Sequence, residues 1–259
     1  MSEAQKRIDD SAAVTGRSRV LALVLLTALY SLMWIGGVSQ HFRGEVSINQ
    51  GWLSALFLTL AGMIVLVSTP EWRERFLLLA VALLGFIAEV VGVHLAFPFG
   101  AYAYTDSLGP RLFAVPLVMT FAWLTLAAYV KQMLKKLKLW RWLEPVVGAL
   151  WMTAFDLLID PLAANQLNYW RWIGPGDYYG VPLSNFAGWF GVSILVFLIL
   201  QKRFSENSTA RLVGLSIVLF FTFIAAAHGS VGVALVGGGL CVLHAVIFNL
   251  HGRRGLLPF

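Results

Sequence analysis

Eight apolar stretches of close to twenty residues recur along this chain, near 19–38, 51–68, 76–97, 111–130, 143–160, 184–201, 211–228 and 231–250. A run of that length is what an α-helix needs to cross the hydrocarbon core of a bilayer. Buried in lipid, a backbone must satisfy its own polar groups, so such runs have to be helices. The chain is 59% hydrophobic and only 12% charged, outside the range of soluble domains. The expected fold is therefore all-α, a polytopic integral membrane protein of about eight transmembrane helices. It is read as a single helical domain over 19–250, with a polar tail at 1–18 and another at 251–259.

The basic residues orient it. Four sit in the N-terminal tail (Lys6, Arg7, Arg17, Arg19), and two in the second connection (Arg73, Arg75). Five sit in the fourth (Lys131, Lys135, Lys136, Lys138, Arg141), three in the sixth (Lys202, Arg203, Arg211) and two in the C-terminal tail (Arg253, Arg254). The remaining connections hold Arg43, Arg111 and Arg171. Sixteen against three is a positive-inside distribution. It predicts both termini in the cytoplasm and a multi-pass protein of the cell (inner) membrane. It also accounts for the net charge of +6 without nucleic acid. The stretch KQMLKKLKLWRW is expected to lie along the anionic inner leaflet. The first apolar run is longer than a signal-peptide core, so an uncleaved first helix is expected. A seven-helix arrangement would put the Arg253–Arg254 tail outside; eight is preferred. The single Cys241 supports neither a disulfide framework nor a metal cluster.

Ionisable residues within a span cost roughly 2.5–3.5 kcal/mol each on insertion scales, so each needs a reason. Glu89 and Asp156 each stand thirteen residues past the inner start of their helices, at Phe76 and Leu143. At about 1.5 Å per residue both lie roughly 20 Å from the inner face. Asp160 shares the Asp156 face one turn on, and Pro161 is expected to end that helix. Two outer connections carry the remaining unusual residues: FPFGAYAYTDSLGPRLFAVP and the aromatic run from Phe155 to Trp189. Topology gathers Glu89, His94, Tyr102, Tyr104, Asp156, Asp160, Asn165, Asn185, Trp189 and His228 at one level, with Trp170, Trp172 and Tyr178 beside them. One ring-lined polar cavity near the outer leaflet is expected. The bland alternatives are a structural Glu89–His94 or Glu89–Asp156 network and an interfacial aromatic belt. Asp106 and Asp177 read as turn residues, and the glycines at 232 and 237–239 as points of close helix approach.

No histidine box, H-E-x-x-H or nucleotide-binding glycine motif occurs, so neither a metal nor a redox cofactor is expected. DLLID resembles one prenyltransferase aspartate motif, but that chemistry needs two, on the cytoplasmic side. A carboxyl held away from water beside a second polar group is equipped for proton transfer, and aromatic faces stabilise a cation.

The run FDLLIDPLAANQLNYWRWIGPGDYYGVPLSNFAGW resembles the signature of the carotenoid biosynthesis family that includes the bacterial and archaeal carotenoid 1,2-hydratases. FPFGAYAYTDSLGPRLFAVPLVMTFAW resembles that family's earlier signature, and the similarity extends over about 20–250. The resemblance implies a membrane-embedded hydro-lyase that adds water across the terminal C1–C2 double bond of an acyclic carotenoid and needs no cofactor. The implied partners are water, membrane lipids and an apolar substrate drawn from the bilayer: lycopene, γ-carotene or a C50 precursor. Asp156 is the expected acid, with Glu89 or Asp160 as its partner. Asn185 and Tyr102 are expected to place water, and Trp170, Trp172, Tyr178 and Trp189 to face the cation. A carotenoid end-group cyclase and a proton-coupled transporter are the alternatives.

Overall fold

A computed structural model describes residues 3–45, 51–201 and 204–254, with side chains between 16 and 249 within those ranges. The described residues form eight α-helices: α1 (Glu3–Arg43), α2 (Gly51–Ser68), α3 (Trp72–Leu95), α4 (Met119–Leu137), α5 (Glu144–Asn165), α6 (Leu183–Ile199), α7 (Ser208–Ala227) and α8 (Val231–Arg254). Six are long and apolar enough to cross a membrane, the exceptions being α4 and the 17-residue α6. The chain is an all-α polytopic membrane protein. Residues 3–18, expected as a tail, continue α1 as helix. Of the basic set, Lys6, Arg7, Lys202, Arg203, Arg253 and Arg254 lie outside the described side chains.

The fourth helix is displaced from its expected position. Residues 111–116 are apolar enough to read as helix, but form a tight hairpin, β2 (Arg111–Leu112) against β3 (Val115–Pro116). Phe113 and Ala114 turn it, both at positive φ. The helix starts at Met119 instead and runs on through Lys131, Lys135 and Lys136 to Leu137. KQMLKKL is thus the end of a packed helix and does not lie along a membrane surface.

α4 is the centre of the bundle, touching α2, α3, α5, α6, α7 and α8. From Trp123 to Leu134 every residue on it is buried. A helix surrounded by protein does not need a lipid-facing stripe, which is why it tolerates polar residues. The longer ones are paired: Lys131 with Glu144, Lys135 Nζ with the Phe204 carbonyl at 2.5 Å, and Gln132 with Ser205 and Asn207; the buried Thr125 hydroxyl has no partner among the described residues. Arg19 donates to the carbonyls of Val67, Ser68 and Thr69, capping the end of α2. The basic connections therefore cluster at one end of the bundle.

α5 does not stop at Pro161 but continues to Asn165. Proline has no N–H for the carbonyl four residues earlier. Here that carbonyl belongs to Leu157, and the Tyr178 hydroxyl donates to it at 3.2 Å. A side chain from the following loop replaces the missing helical bond.

At the opposite end, the two long connections pair with each other. β1 (Tyr102–Tyr104) and β4 (Trp170–Trp172) form an antiparallel ribbon in which Tyr102 faces Trp172 and Tyr104 faces Trp170. Successive strand side chains point to opposite faces. Tyr102, Tyr104, Trp170 and Trp172 therefore share the inward face, and Ala103 and Arg171 point outward.

Candidate active site

Three carboxyl groups converge beneath this ribbon. Glu89 on α3 and Asp156 and Asp160 on α5 are all buried. Glu89 is held by three donors. Its Oε2 accepts the Tyr102 hydroxyl at 2.5 Å and the Tyr104 hydroxyl at 2.9 Å, and its Oε1 accepts the Trp123 indole at 3.1 Å. Burial, and then the Glu89 charge, push both tyrosine hydroxyls well above their ordinary range. They stay protonated and remain donors.

Asp160 likewise has three. Its Oδ1 accepts the indole N–H groups of Trp170 at 2.7 Å and Trp172 at 3.1 Å, and its Oδ2 accepts Asn185 Nδ2 at 2.5 Å. The same Asn185 nitrogen donates to Asp156 Oδ2, also at 2.5 Å. Asn185 stands in the first turn of α6 and bridges the two aspartates with both amide hydrogens. Among the described residues, Asp156 accepts a hydrogen bond from Asn185 alone. Every ring of the β1–β4 ribbon that faces inward thus spends its polar atom on a carboxyl: the two tyrosines on Glu89, the two tryptophans on Asp160.

Two voids meet at Asp156. A cavity of about 20 Å3 lies among Glu89, Asp156, Asp160 and Asn185. That is room for one water molecule, which needs at least ~10–15 Å3. A second void of about 60 Å3 is apolar and lies against Leu126, Ile159 and Phe221. Asp156, Met119, Trp170 and Trp189 line both. Trp189 is backed by Trp123, and glycines make space for the rings. A Cβ on Gly85 would fall 2.2 Å from Trp123 Cγ, and one on Gly92 would fall 2.8 Å from the Tyr102 hydroxyl.

The predicted residues separate into two groups. Glu89, Tyr102, Tyr104, Asp156, Asp160, Trp170, Trp172, Asn185 and Trp189 come together. The others do not. His94 is exposed near the end of α3. His228 is exposed and its Nε2 lies 2.9 Å from His41 Nδ1, away from the acids. Asn165 donates to the Tyr179 carbonyl on the surface, and Tyr178 is the partner of the Leu157 carbonyl. His94, Asn165 and His228 sit at or near helix ends and face away from the acids, and Tyr178 lies in the connection before α6. Trp123, Phe99 and Met119 were missed, although Trp123 closes the earlier of the two quoted motifs. No local signal marked it: a buried tryptophan usually finds an acceptor, yet Trp151 on α5 is buried with its indole unpaired among the described residues. Among the described residues no set of three His, Cys, Asp or Glu side chains is arranged to hold a metal ion.

The fold and site define a class: a multi-pass helical membrane protein whose carboxyls lie under an aromatic ribbon at the end opposite its basic connections. The chain belongs to the carotenoid biosynthesis protein family, whose sequence profile matches residues 50–250. It is 34% identical over 151 residues to the bisanhydrobacterioruberin hydratase of Haloarcula japonica, an overlap of 53% of this chain and 48% of that one. The chain thus spans about half the length of the curated relative it matches. No solved structure matches it.

Proposed function

We propose that this protein is a carotenoid hydratase. It adds water across the terminal C1–C2 double bond of an acyclic end group, drawn from the bilayer and reacted at Asp156. The observation that carries this reading is the position of Asp156 between a water-sized polar cavity and an apolar pocket. Alkene and water need two such compartments with the proton donor between them.

The hydrogen-bond pattern supports a division of roles among the three carboxyls. A carboxyl surrounded by donors serves as an acceptor, whereas a protonated carboxyl must itself donate. Glu89 and Asp160 each face three donors. Asp156 faces one and borders the apolar pocket, so it delivers the proton. The Asp156 O–H bond breaks and a C–H bond forms at C2, leaving a tertiary cation at C1. Trp170 and Trp189, which line both voids, present their ring faces to it, an attraction worth about 2 kcal/mol or more when desolvated. The oxygen of the water bonds to C1. Its surplus proton passes to Asp160 or Glu89 and returns to Asp156 through the shared cavity. The net change is one water added and a tertiary alcohol formed, with no electrons gained or lost.

The basic end is assigned to the cytoplasm by the positive-inside rule, which places the acid site toward the outer leaflet of the cell membrane. The test of function is expression in cells that accumulate lycopene, with pigment mass read by chromatography for the native chain and Asp156→Asn. A gain of one or two waters that the variant abolishes is the expected result. Isomerised pigment of unchanged mass would identify a cyclase instead and overturn the hydratase reading.

A further inference from the structure

A cleft of about 210 Å3 lies beside the site, between the acid-end parts of α1, α2 and α7 and the turn that joins α5 to β4. Met33, Phe57 and Phe220 give it apolar walls, and Gln40 and His41 also line it. Tyr169 lines both this cleft and the apolar pocket at Asp156. Its side chain hydrogen-bonds Ser54, and its backbone is tied to Ala163 and Thr105. Cleft and pocket are therefore neighbouring spaces with one ring between them. The pocket, at about 60 Å3, is less than a third of the volume of the cleft, at about 210 Å3. It holds the tip of an isoprenoid chain and no more.

We propose that the cleft holds the polyene stem next to the reacting end group, with Tyr169 as the partition that fixes how far that end group reaches toward Asp156. This rests on the reading of the site as acting on a carotenoid. The place of Tyr169 on the boundary of both spaces supports it, as does the pairing of Phe57 and Phe220, whose ring centroids lie 4.9 Å apart on the apolar floor. So does the bare stretch of α1 at Gly36, where an added Cβ would meet nothing within 4 Å. α1 is also the least enclosed of the spanning helices, so the cleft borders a flank that lipid-dissolved substrate reaches directly.

Gly36→Trp fills the cleft without touching the acid cluster. Leu83→Trp, on an exposed face of α3, is the control, and Gly36→Leu is a smaller plug should the tryptophan variant fold poorly. Each full-length chain is purified in detergent from lycopene-accumulating cells. Pigment retained per protein is read by absorbance, and product by mass. The expected result is a roughly tenfold loss of both retained pigment and hydration in Gly36→Trp, a smaller loss in Gly36→Leu, and neither in Leu83→Trp. Native-level retention in a folded Gly36→Trp chain would overturn the cleft as the polyene site. If hydration alone fell, the cleft would be the route for water, which also overturns it. No retained pigment in the native chain does the same. Native retention with no gain of water would refute the hydratase reading, and the Gly36 comparison would still judge the cleft by retention.

Discussion

Trp123 and Trp189 lie face to face, their ring centroids 4.2 Å apart and their planes 11° from parallel. Trp189 borders both voids at Asp156, and Trp123 stands behind it, pinned by its indole to Glu89. The orientation of the ring nearest the proposed cation therefore depends on a carboxyl three helices away in sequence. Trp123→Phe keeps an aromatic ring but leaves a buried acceptor short of one donor, at a cost of about 1–3 kcal/mol. We expect a lower melting temperature and at least a tenfold loss of hydration. Gly85→Ala should act in the same direction by pushing Trp123 off its seat. Unchanged activity in both would remove the stacked pair from the site.

Asn185 holds the two aspartates with one nitrogen. Asn185→Leu leaves both without that donor, so a loss of function comparable with Asp156→Asn, on the order of a hundredfold, is expected in a chain that still purifies as a monodisperse species. Asn185→Asp keeps the shape and adds a fourth carboxyl to the site; it should fail as well. Full activity in either would mean that the bridge is incidental.

Tyr178 and Pro161 are a compensating pair. Tyr178→Phe should destabilise the chain by the net worth of one hydrogen bond, about 0.5–1.5 kcal/mol. In a Pro161→Ala background the helix supplies its own N–H to Leu157, and the same substitution should cost little. Thermal melting of the four chains tests this. Equal costs in both backgrounds would show that the Tyr178 hydroxyl does not serve the interrupted helix.

His94 and His228 are exposed and outside the acid cluster. Alanine at either is expected to leave hydration within twofold of the native chain, measured by product mass per cell. A tenfold loss at His94 would bring the α3 terminus into the reaction.

Sidedness has its own test. With Cys241 replaced by Ser, single cysteines at Lys138 and Ile173 should be labelled from opposite faces of the membrane. A membrane-impermeant thiol reagent added to intact cells should reach position 173 and not 138. The reverse pattern would invert the proposed orientation.

The helical fold was legible because a bilayer leaves so few solutions to the backbone. Seven of the eight apolar runs became helices close to where they were expected. The fourth misled because hydropathy reads Leu112, Phe113 and Ala114 as membrane-bound, when a hairpin turns there. The acids and most of their partners were legible from depth along two helices. Depth does not give azimuth, however, and His94, Asn165 and His228 were placed with the acids for that reason, while Tyr178 was placed there with the other rings of its connection. Nor did it reveal that Tyr102 to Tyr104 pairs with Trp170 to Trp172. That ladder is three residues long and joins strands more than sixty positions apart; its short alternation is lost among neighbouring apolar residues. Trp123 sat within an expected helix, and nothing local marks it as reaching Glu89 on another.

The central position of α4 bears on how the protein is made. A segment carrying Lys131, Lys135 and Lys136, and excluded by composition from the self-sufficient spans, has little cause to leave the insertion machinery for lipid by itself. Lys131 finds Glu144 at the start of α5, and Lys135 finds the Phe204 carbonyl only after α5 and α6 have been synthesised. Chains cut after Leu137 should therefore leave α4 retained or misoriented, and those extending past Phe204 should integrate it. The helix that organises the finished bundle is, during biogenesis, the one that must wait for its neighbours.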